Sequence, residues 1–395
     1  MMRVVFVDDD ADVLQGMKRT LRDMRNEWTM EFAQSGAAAL EELKKAPTDV
    51  IVSDMRMPGM DGWELLAEVK KRYPQTVRLV LSGHADARSI MRAVGTAHQY
   101  LAKPCETKSL KSAIMQTLNL RQHLSSDRLA QVVGRVDMLP SAPKAFQEIL
   151  ACLQRPNASV AEAAKIIGRD MAMTANVIKL VNSAFFGTRQ PVSTADRAVA
   201  YLGLDTLGAL VLGHGVFKSG NIPTIKGFSI DRLWQHSQSV AAAARTIAVA
   251  ERLPHGKADE AFLGGMLHDV GELVIATKLA ETPDAIAAPQ GEDLNIQLQA
   301  HHAEVGAYLM GLWGFPNPIV ETVAFHDAPS QVPGDGLTLA KLVHIADRLV
   351  LAREALVTGK PAMEVEPGLL EGLGLADRWA VWLAELDTLS AESAA

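Results

Sequence analysis

Short apolar bursts alternate with helical spacing along the first 120 residues. The bursts are Arg3–Val7, Thr29–Ala33, Asp49–Ser53, Val77–Ser82 and Gln99–Ala102. Short runs rich in Val, Ile and Leu suit strands buried on both faces. Helical stretches lie between and after them, at Ala11–Arg25, Gly36–Ala46, Gly62–Arg72, Asp86–Gly95 and Glu106–Leu120. The alternation predicts a doubly wound (βα)5 unit, a parallel sheet covered on both faces. Reactive groups in such sheets collect at the carboxyl ends of the strands.

After residue 140 the strand pattern stops. Helical spacing continues at Pro143–Gln154, Val160–Gly168, Met171–Ser183, Thr194–Leu202, Thr206–Leu212, Asp231–Arg252, Lys257–Thr277, Asn295–Trp313, Pro318–Phe325 and Thr338–Thr358. Ser159 and Glu162 form a capping-box pattern, and Gly187 closes the run Asn182–Gly187. The chain therefore reads as α/β plus all-α. Residues 1–120 form the first domain, 121–138 a helical linker and 139–395 an all-helical domain. In the linker, Ser125-Ser126-Asp127 caps Arg128–Val133, and Leu139-Pro140-Ser141-Ala142-Pro143 breaks it. A helical linker without Gly/Ser repeats can transmit a rotation; a plain spacer is the alternative.

Composition adds limits. Aromatic residues make up only 5%, so the cores are built from Leu, Ile, Val, Met and Ala. Two cysteines, Cys105 and Cys152, make no disulfide framework and point to a reducing cytoplasm. No apolar run approaches the ~20 residues of a membrane span. The start, Arg3-Val4-Val5-Phe6-Val7 followed by three aspartates, does not read as a signal peptide. Residues 1–120 carry 17 basic and 16 acidic side chains, and the remainder 22 and 30. That acidic second half is a poor match to nucleic acid or an anionic membrane. Ile166–Asp170 and its flanking helices have helix-turn-helix spacing, but only Lys165, Arg169 and Lys179 supply cations nearby.

The strand ends hold the chemistry. The first ends in Asp8-Asp9-Asp10, the third in Asp54 with Met55-Arg56-Met57-Pro58-Gly59-Met60-Asp61-Gly62 after it. The fourth ends in Ser82-Gly83-His84 and the fifth in Lys103-Pro104. Converging carboxylates repel unless a hard cation such as Mg²⁺ neutralises them. Lys103 supplies a point charge for a phosphoryl oxygen and Ser82 a hydroxyl donor. Asp10 and Asp61 read as turn and cap residues.

These motifs resemble the response-regulator receiver family over roughly residues 1–120. The resemblance implies that Asp54 is the phospho-acceptor and that Asp8, Asp9, Asp54 and the Arg56 carbonyl hold Mg²⁺. It places Ser82 and Tyr100 at the switch positions and Lys103 against the phosphoryl group. It also implies a cis Lys103–Pro104 bond and a sensor histidine kinase as partner.

In the helical half, His236, His268-Asp269, His302, His326-Asp327 and Asp347 are scattered through apolar helices. Such a set on facing helices can close around one or two divalent metals, with Asp269 bridging. It can equally be a hydrogen-bonded polar seam that specifies packing. His255, His301 and His344 read as exposed or capping. The set resembles the HD superfamily of metal-dependent phosphohydrolases. Residues 140–350 resemble the HD-related output domain, HDOD, more closely. Leu139–Pro143, Lys179–Gly187, Ala198–Gly203, His268–Gly271 and Trp313–Pro316 carry that resemblance. HDOD domains are regulatory modules. The cyclic-dinucleotide branch has Lys where Glu272 stands here, and its Asp-Gly-x-Gly-Tyr-Pro loop is replaced by residues after Asp327, so cyclic di-GMP hydrolysis is not expected.

Three functions compete. The first is a response regulator whose HDOD output acts by contact with a downstream signalling protein or as a homodimer. The second is a receiver-gated metallophosphohydrolase acting on a nucleotide or phosphoester. The third, a transcription factor, is disfavoured by charge. Neither nucleic acid nor membrane is expected as a partner.

Overall fold

The computed structural model describes residues 1–82, 96–122, 124, 127–155, 157–182, 192–214, 228–254, 256–281, 294–359 and 363–394. The expected helix Asp86–Gly95, His84 and His255 lie outside these residues.

Five parallel strands, β1 (Met2–Val7), β2 (Trp28–Ala33), β3 (Val50–Asp54), β4 (Val77–Ser82) and β5 (Gln99–Ala102), form one sheet in the order β2-β1-β3-β4-β5. Side chains alternate between its faces. Val4, Phe6, Val52 and Leu79 pack with Leu14 of α1 (Ala11–Thr20) and with Ile114 and Leu118 of a late receiver helix. Val5, Val7, Ile51 and Val80 pack instead with α2 (Gly36–Lys45) and α3 (Gly62–Arg72). Each buried Val or Ile contributes about 1.5–3 kcal/mol. The first helix is shorter than expected: it stops at Thr20 and a 3-10 turn, Arg22–Asn26, follows. Asp10 caps α1, and Asp61 caps α3 in a capping box with Glu64, as their sequence context predicts.

The late receiver helix is α4 (Thr107–Gln122), followed by α5 (Asp127–Val133). The helical half comprises α6 (Pro143–Leu153), α7 (Val160–Ile167), α8 (Met171–Val181), α9 (Ala195–His214), α10 (Ile230–Ala250), α11 (Lys257–Leu267), α12 (Val270–Glu281), α13 (Leu294–Leu312), α14 (Asn317–Phe325), α15 (Leu339–Thr358), α16 (Leu369–Gly372) and α17 (Trp379–Ala394). The expected pair Thr194–Leu202 and Thr206–Leu212 corresponds to α9, whose two helical stretches are divided at Gly203, where a φ of 71° suits glycine. Two differences from expectation stand out. The expected single helix Lys257–Thr277 breaks at His268-Asp269. The final helix α17 lay beyond the sequence reading, although Trp379, Trp382, Leu383 and Leu386 have helical apolar spacing. Its Trp382 is buried and donates to Glu251 at 2.9 Å.

One apolar cluster runs from the sheet through Leu118, Leu129, Val133, Val136 and Leu139 into α8, Trp313 and Phe315. Polar contacts seal the join. Buried Arg78 donates to the carbonyls of Thr96 at 2.7 Å and Gly134 at 3.0 Å. His98 Nδ1 accepts from the Arg78 backbone N–H at 3.1 Å, and burial beside the guanidinium holds this histidine neutral. Gln99 donates to the Gly311 carbonyl at 2.8 Å, and Gln116 to that of Phe315 at 3.2 Å. Lys70 pairs with Asp137, whose carbonyl accepts from Lys179 at 2.7 Å. A Cβ on Gly134 would stand 2.2 Å from the Pro74 carbonyl oxygen, so only glycine permits this approach. Among the described residues no helix is long and apolar enough to cross a membrane.

Candidate functional site

The parallel sheet delivers Asp8, Asp54 and Lys103 to one edge. Asp8 follows β1, Asp54 ends β3 and Lys103 follows β5. Lys103 Nζ donates to Asp8 Oδ2 at 2.7 Å and also to Asp54 Oδ1. Asp54 Oδ2 accepts from the Arg56 backbone N–H at 2.8 Å, and Asp8 Oδ1 from that of Asp10 at 3.0 Å. Both carboxylates are thus oriented by main chain, and Lys103 ties them together. Burial pulls the Lys103 ammonium down, but its bonds to Asp54 and Asp8 outweigh this and raise it. Gly62 lets α3 approach Asp54: a Cβ there would lie 2.2 Å from the Asp54 carbonyl oxygen.

Asp9 and Arg56 are exposed beside this group. Tyr100 is buried against Trp63, with ring centroids 5.9 Å apart, and burial pushes its hydroxyl pKa up. Ser82 ends β4, but its side chain lies outside the described residues. The Lys103–Pro104 bond is cis.

A second cluster forms where α10, the α11–α12 break, α13, the end of α14 and α15 meet. His236 Nε2 stands 3.0 Å from Asp347 Oδ1 and 3.7 Å from Asp269 Oδ2. His268 Nε2 stands 3.0 Å from Asp269 Oδ2. Asp269 Oδ1 faces His326 at 3.4 Å and His302 at 3.5 Å. All six sequence-nominated residues converge, with Asp269 central. The helix break at His268-Asp269 lets adjacent residues both face inward.

Local bonds set the tautomers. His268 Nδ1 lies 2.8 Å from the Gly265 carbonyl, and His326 Nδ1 lies 3.0 Å from that of Val323. A carbonyl only accepts, so each Nδ1 carries hydrogen and Nε2 points into the cluster. This is the arrangement of a metal-ligating imidazole. His268 Nε2 and Asp347 Oδ1 are buried and have no hydrogen bond, although Asp269 and His236 stand 3.0 Å from them. Three overlapping groups bring ligand atoms within 4.8 Å: His236–His268–Asp347, His268–Asp269–His326 and His302–His326–Asp327. The mixed imidazole–carboxylate set fits a divalent transition metal. Among the described residues these are the groups so drawn together; Asp8, Asp9 and Asp54 are not among them.

Charge also closes the cluster. Burial pulls His268 down, but Asp269 and Asp347 push it up to about 9. Burial likewise opposes charge on His302, and Asp327 and Asp269 raise it to about 9. Burial favours a neutral Asp269, yet His268, His326 and His302 hold its carboxyl well below the usual range. The hydrogen bond from His302 holds Asp327 down against its partial burial.

The sequence reading gave no ligand role to three residues at the edge of the cluster, Asp327, Arg348 and Glu272, although Asp327 was named beside His326. Asp327, half exposed, reaches His302 at 3.3 Å. Arg348 pairs with Asp347 Oδ2 at 2.9 Å and Asp327 Oδ1 at 2.8 Å. Glu272 lies near Asp269, and burial and that charge raise it to about 7. Adjacency to His326 and Asp347 was the available signal for the first two. His344, expected to be exposed or capping, is buried. Its Nδ1 lies 2.6 Å from the His326 carbonyl and its Nε2 accepts from the Glu366 N–H at 3.0 Å.

Comparison with known proteins matches both halves. Residues 4–115 fit the model of the response regulator receiver domain, and residues 139–329 that of the HDOD domain. An uncharacterized protein of Treponema pallidum (strain Nichols) is 26% identical over 228 residues, 56% of this chain and 44% of that one. The DNA-binding transcriptional regulator NtrC of Escherichia coli (strain K12) is 30% identical over 151 residues, 38% of this chain and 32% of NtrC. The chain spans less than half the length of either relative. The crystal structure of the MmoQ response regulator from Methylococcus capsulatus str. Bath is 24% identical, with a TM-score of 0.48, covering 63% of this chain and 98% of that one.

Proposed function

Since this chain is a response regulator that joins a receiver domain to an HDOD domain, we propose that Asp54 takes a phosphoryl group from a sensor histidine kinase and that the HDOD half reads the event through its seat on the receiver. The observation that carries this reading is the Lys103 ammonium bonded to both Asp8 and Asp54. An Asp54 oxygen attacks phosphorus, the phosphorus–nitrogen bond of phosphohistidine breaks, and the electron pair returns to the imidazole. Lys103 then pairs with a phosphoryl oxygen. Asp8, Asp9, Asp54 and the Arg56 carbonyl would hold Mg²⁺, which when bound neutralises charge at the phosphoryl group.

Strand β5 supports the coupling. Tyr100 faces the receiver core and Lys103 follows the strand, while Gln99 on the opposite face bonds to Gly311 of the HDOD half. Moving Lys103 toward a phosphoryl group shifts the strand on which Gln99 sits. The HDOD surface then changes its contacts with a downstream signalling protein or a second copy of the chain. Acetyl phosphate with Mg²⁺ should label the wild-type chain and increase hydrogen exchange at Gly311 and Phe315. Unchanged exchange in the labelled chain would refute the coupling.

The buried His268 Nε2 and Asp347 Oδ1, which have no hydrogen bond, favour a second reading, that the histidine cluster holds a divalent metal. His236, His268, Asp269, His302, His326 and Asp347 would hold it, and when bound it activates water toward a phosphoester. Metal analysis of chelator-free protein, followed by a phosphoester panel, tests this. A metal-free protein removes the phosphohydrolase alternative.

A further inference from the structure

Buried Lys179 of α8 reaches into the join between the two halves without a carboxylate of its own. Its ammonium lies 4.1 Å from the centroid of the Trp313 ring and donates to the Asp137 backbone carbonyl at 2.7 Å. The acid nearest to hand, the Asp137 side chain, is already paired with Lys70.

The groups around this ammonium divide by domain. Trp313 belongs to the HDOD half and Asp137 to the linker, and both favour the charged form. An aromatic face attracts a cation, and the carboxylate is opposite in sign. Lys70 of α3 and buried Arg78 of β4 belong to the receiver, and both repel it. His98, just before β5, is held neutral and offers no counter-charge. Lys70, Arg78 and Lys179 thus share one carboxylate where the halves meet. Seating the receiver brings two like charges toward Lys179 and takes water from it, and both effects disfavour its proton.

We propose that this join is a proton-operated latch, independent of phosphorylation: a proton on Lys179 and the seated receiver oppose each other, so the receiver sits more firmly on the HDOD half as the surroundings become more alkaline.

In the seated form, burial together with Arg78 and Lys70 pulls Lys179 down to about 7, against the attraction of Asp137. A lysine released into water keeps its proton to about pH 10. Between these values the released form binds more protons than the seated one, so seating strengthens as pH rises. Below about pH 7 both forms are protonated and the dependence ends. One proton released on seating sets a ceiling of about tenfold per pH unit.

Hydrogen exchange of the unphosphorylated full chain from pH 6 to pH 9 tests the latch, read as protection factors so that the base catalysis of a free amide cancels. The reporters are Gly134 and Phe315, whose N–H groups donate to the carbonyls of Ala130 and Met310. Wild-type protection should rise several-fold per pH unit above about pH 7 and change little below it. Lys179→Met, similar in length but without charge, should give a flat profile no lower than the wild type at pH 7. Lys179→Arg, charged throughout, should stay flat near the wild type's acid-side value. A flat wild-type profile, or a slope that persists in Lys179→Met, overturns the inference. If Lys179→Met fails to fold, Lys179→Arg decides: a slope like that of the wild type overturns the latch, and a flat profile upholds it.

Discussion

The receiver edge and the histidine cluster both gather aspartates, and they solve the repulsion differently. At the sheet edge one long lysine reaches between Asp8 and Asp54, with Asp9 and Arg56 exposed to solvent beside them. In the helical half, imidazoles and a guanidinium surround Asp269, Asp327 and Asp347 from several helices. A lysine on a flexible stem can move to a new partner. Imidazoles with their Nδ1 atoms held by main-chain carbonyls cannot move without disturbing helices. The first arrangement suits exchange of a group, and the second a fixed site.

The sharpest break in that contrast is Asp54→Asn. Labelling by acetyl phosphate should fall to background while the fold persists, measured by phosphate incorporation and circular dichroism. Wild-type labelling would place the acceptor elsewhere. In the fixed site, His268→Ala should cost about 3 kcal/mol by denaturant unfolding, because it removes a buried imidazole and leaves the largely enclosed Asp269 short of its partner. An unchanged midpoint would mean that the cluster does not support the fold. The join between the two regions should respond next. Gly134→Ala forces a Cβ against the Pro74 carbonyl and should cost about 2–3 kcal/mol, with faster proteolysis of the linker.

A pH measurement tests whether partners, rather than burial, depress the cluster's acids. Asp170, more fully buried than Asp269, meets N–H groups from Ala142 and Met173, each at 2.7 Å. Burial therefore raises its carboxyl to about 6. The folded chain holds this proton more tightly than the unfolded one, so its stabilising effect is full below about pH 4 and is lost as pH rises to about 6. Asp170→Asn should flatten that fall, on the order of 2 kcal/mol, in unfolding curves taken across this window. Smallest should be Lys70→Ala: its pair with Asp137 is about 28% exposed, and such pairs are worth roughly 0.5 kcal/mol. A loss comparable to that of Gly134→Ala would show that charge, not packing, holds the join.

Local rules carried much of this protein in its sequence. Short apolar bursts placed β4 and β5 at Val77–Ser82 and Gln99–Ala102, the bounds observed. Capping chemistry at Asp10 and Asp61 was legible because a side chain and its backbone partners lie within three residues. The chemistry of Asp8, Asp54 and Lys103 was legible because a parallel sheet has one carboxyl edge. What the tertiary structure decided was long-range. The break of the helix at His268-Asp269, the insertion of Arg348 between Asp347 and Asp327, and the seat of Gln99 on Gly311 depend on residues far apart in the chain. Spacing along a helix shows which face a residue occupies; which other face it meets is settled only when the apolar surfaces pack together.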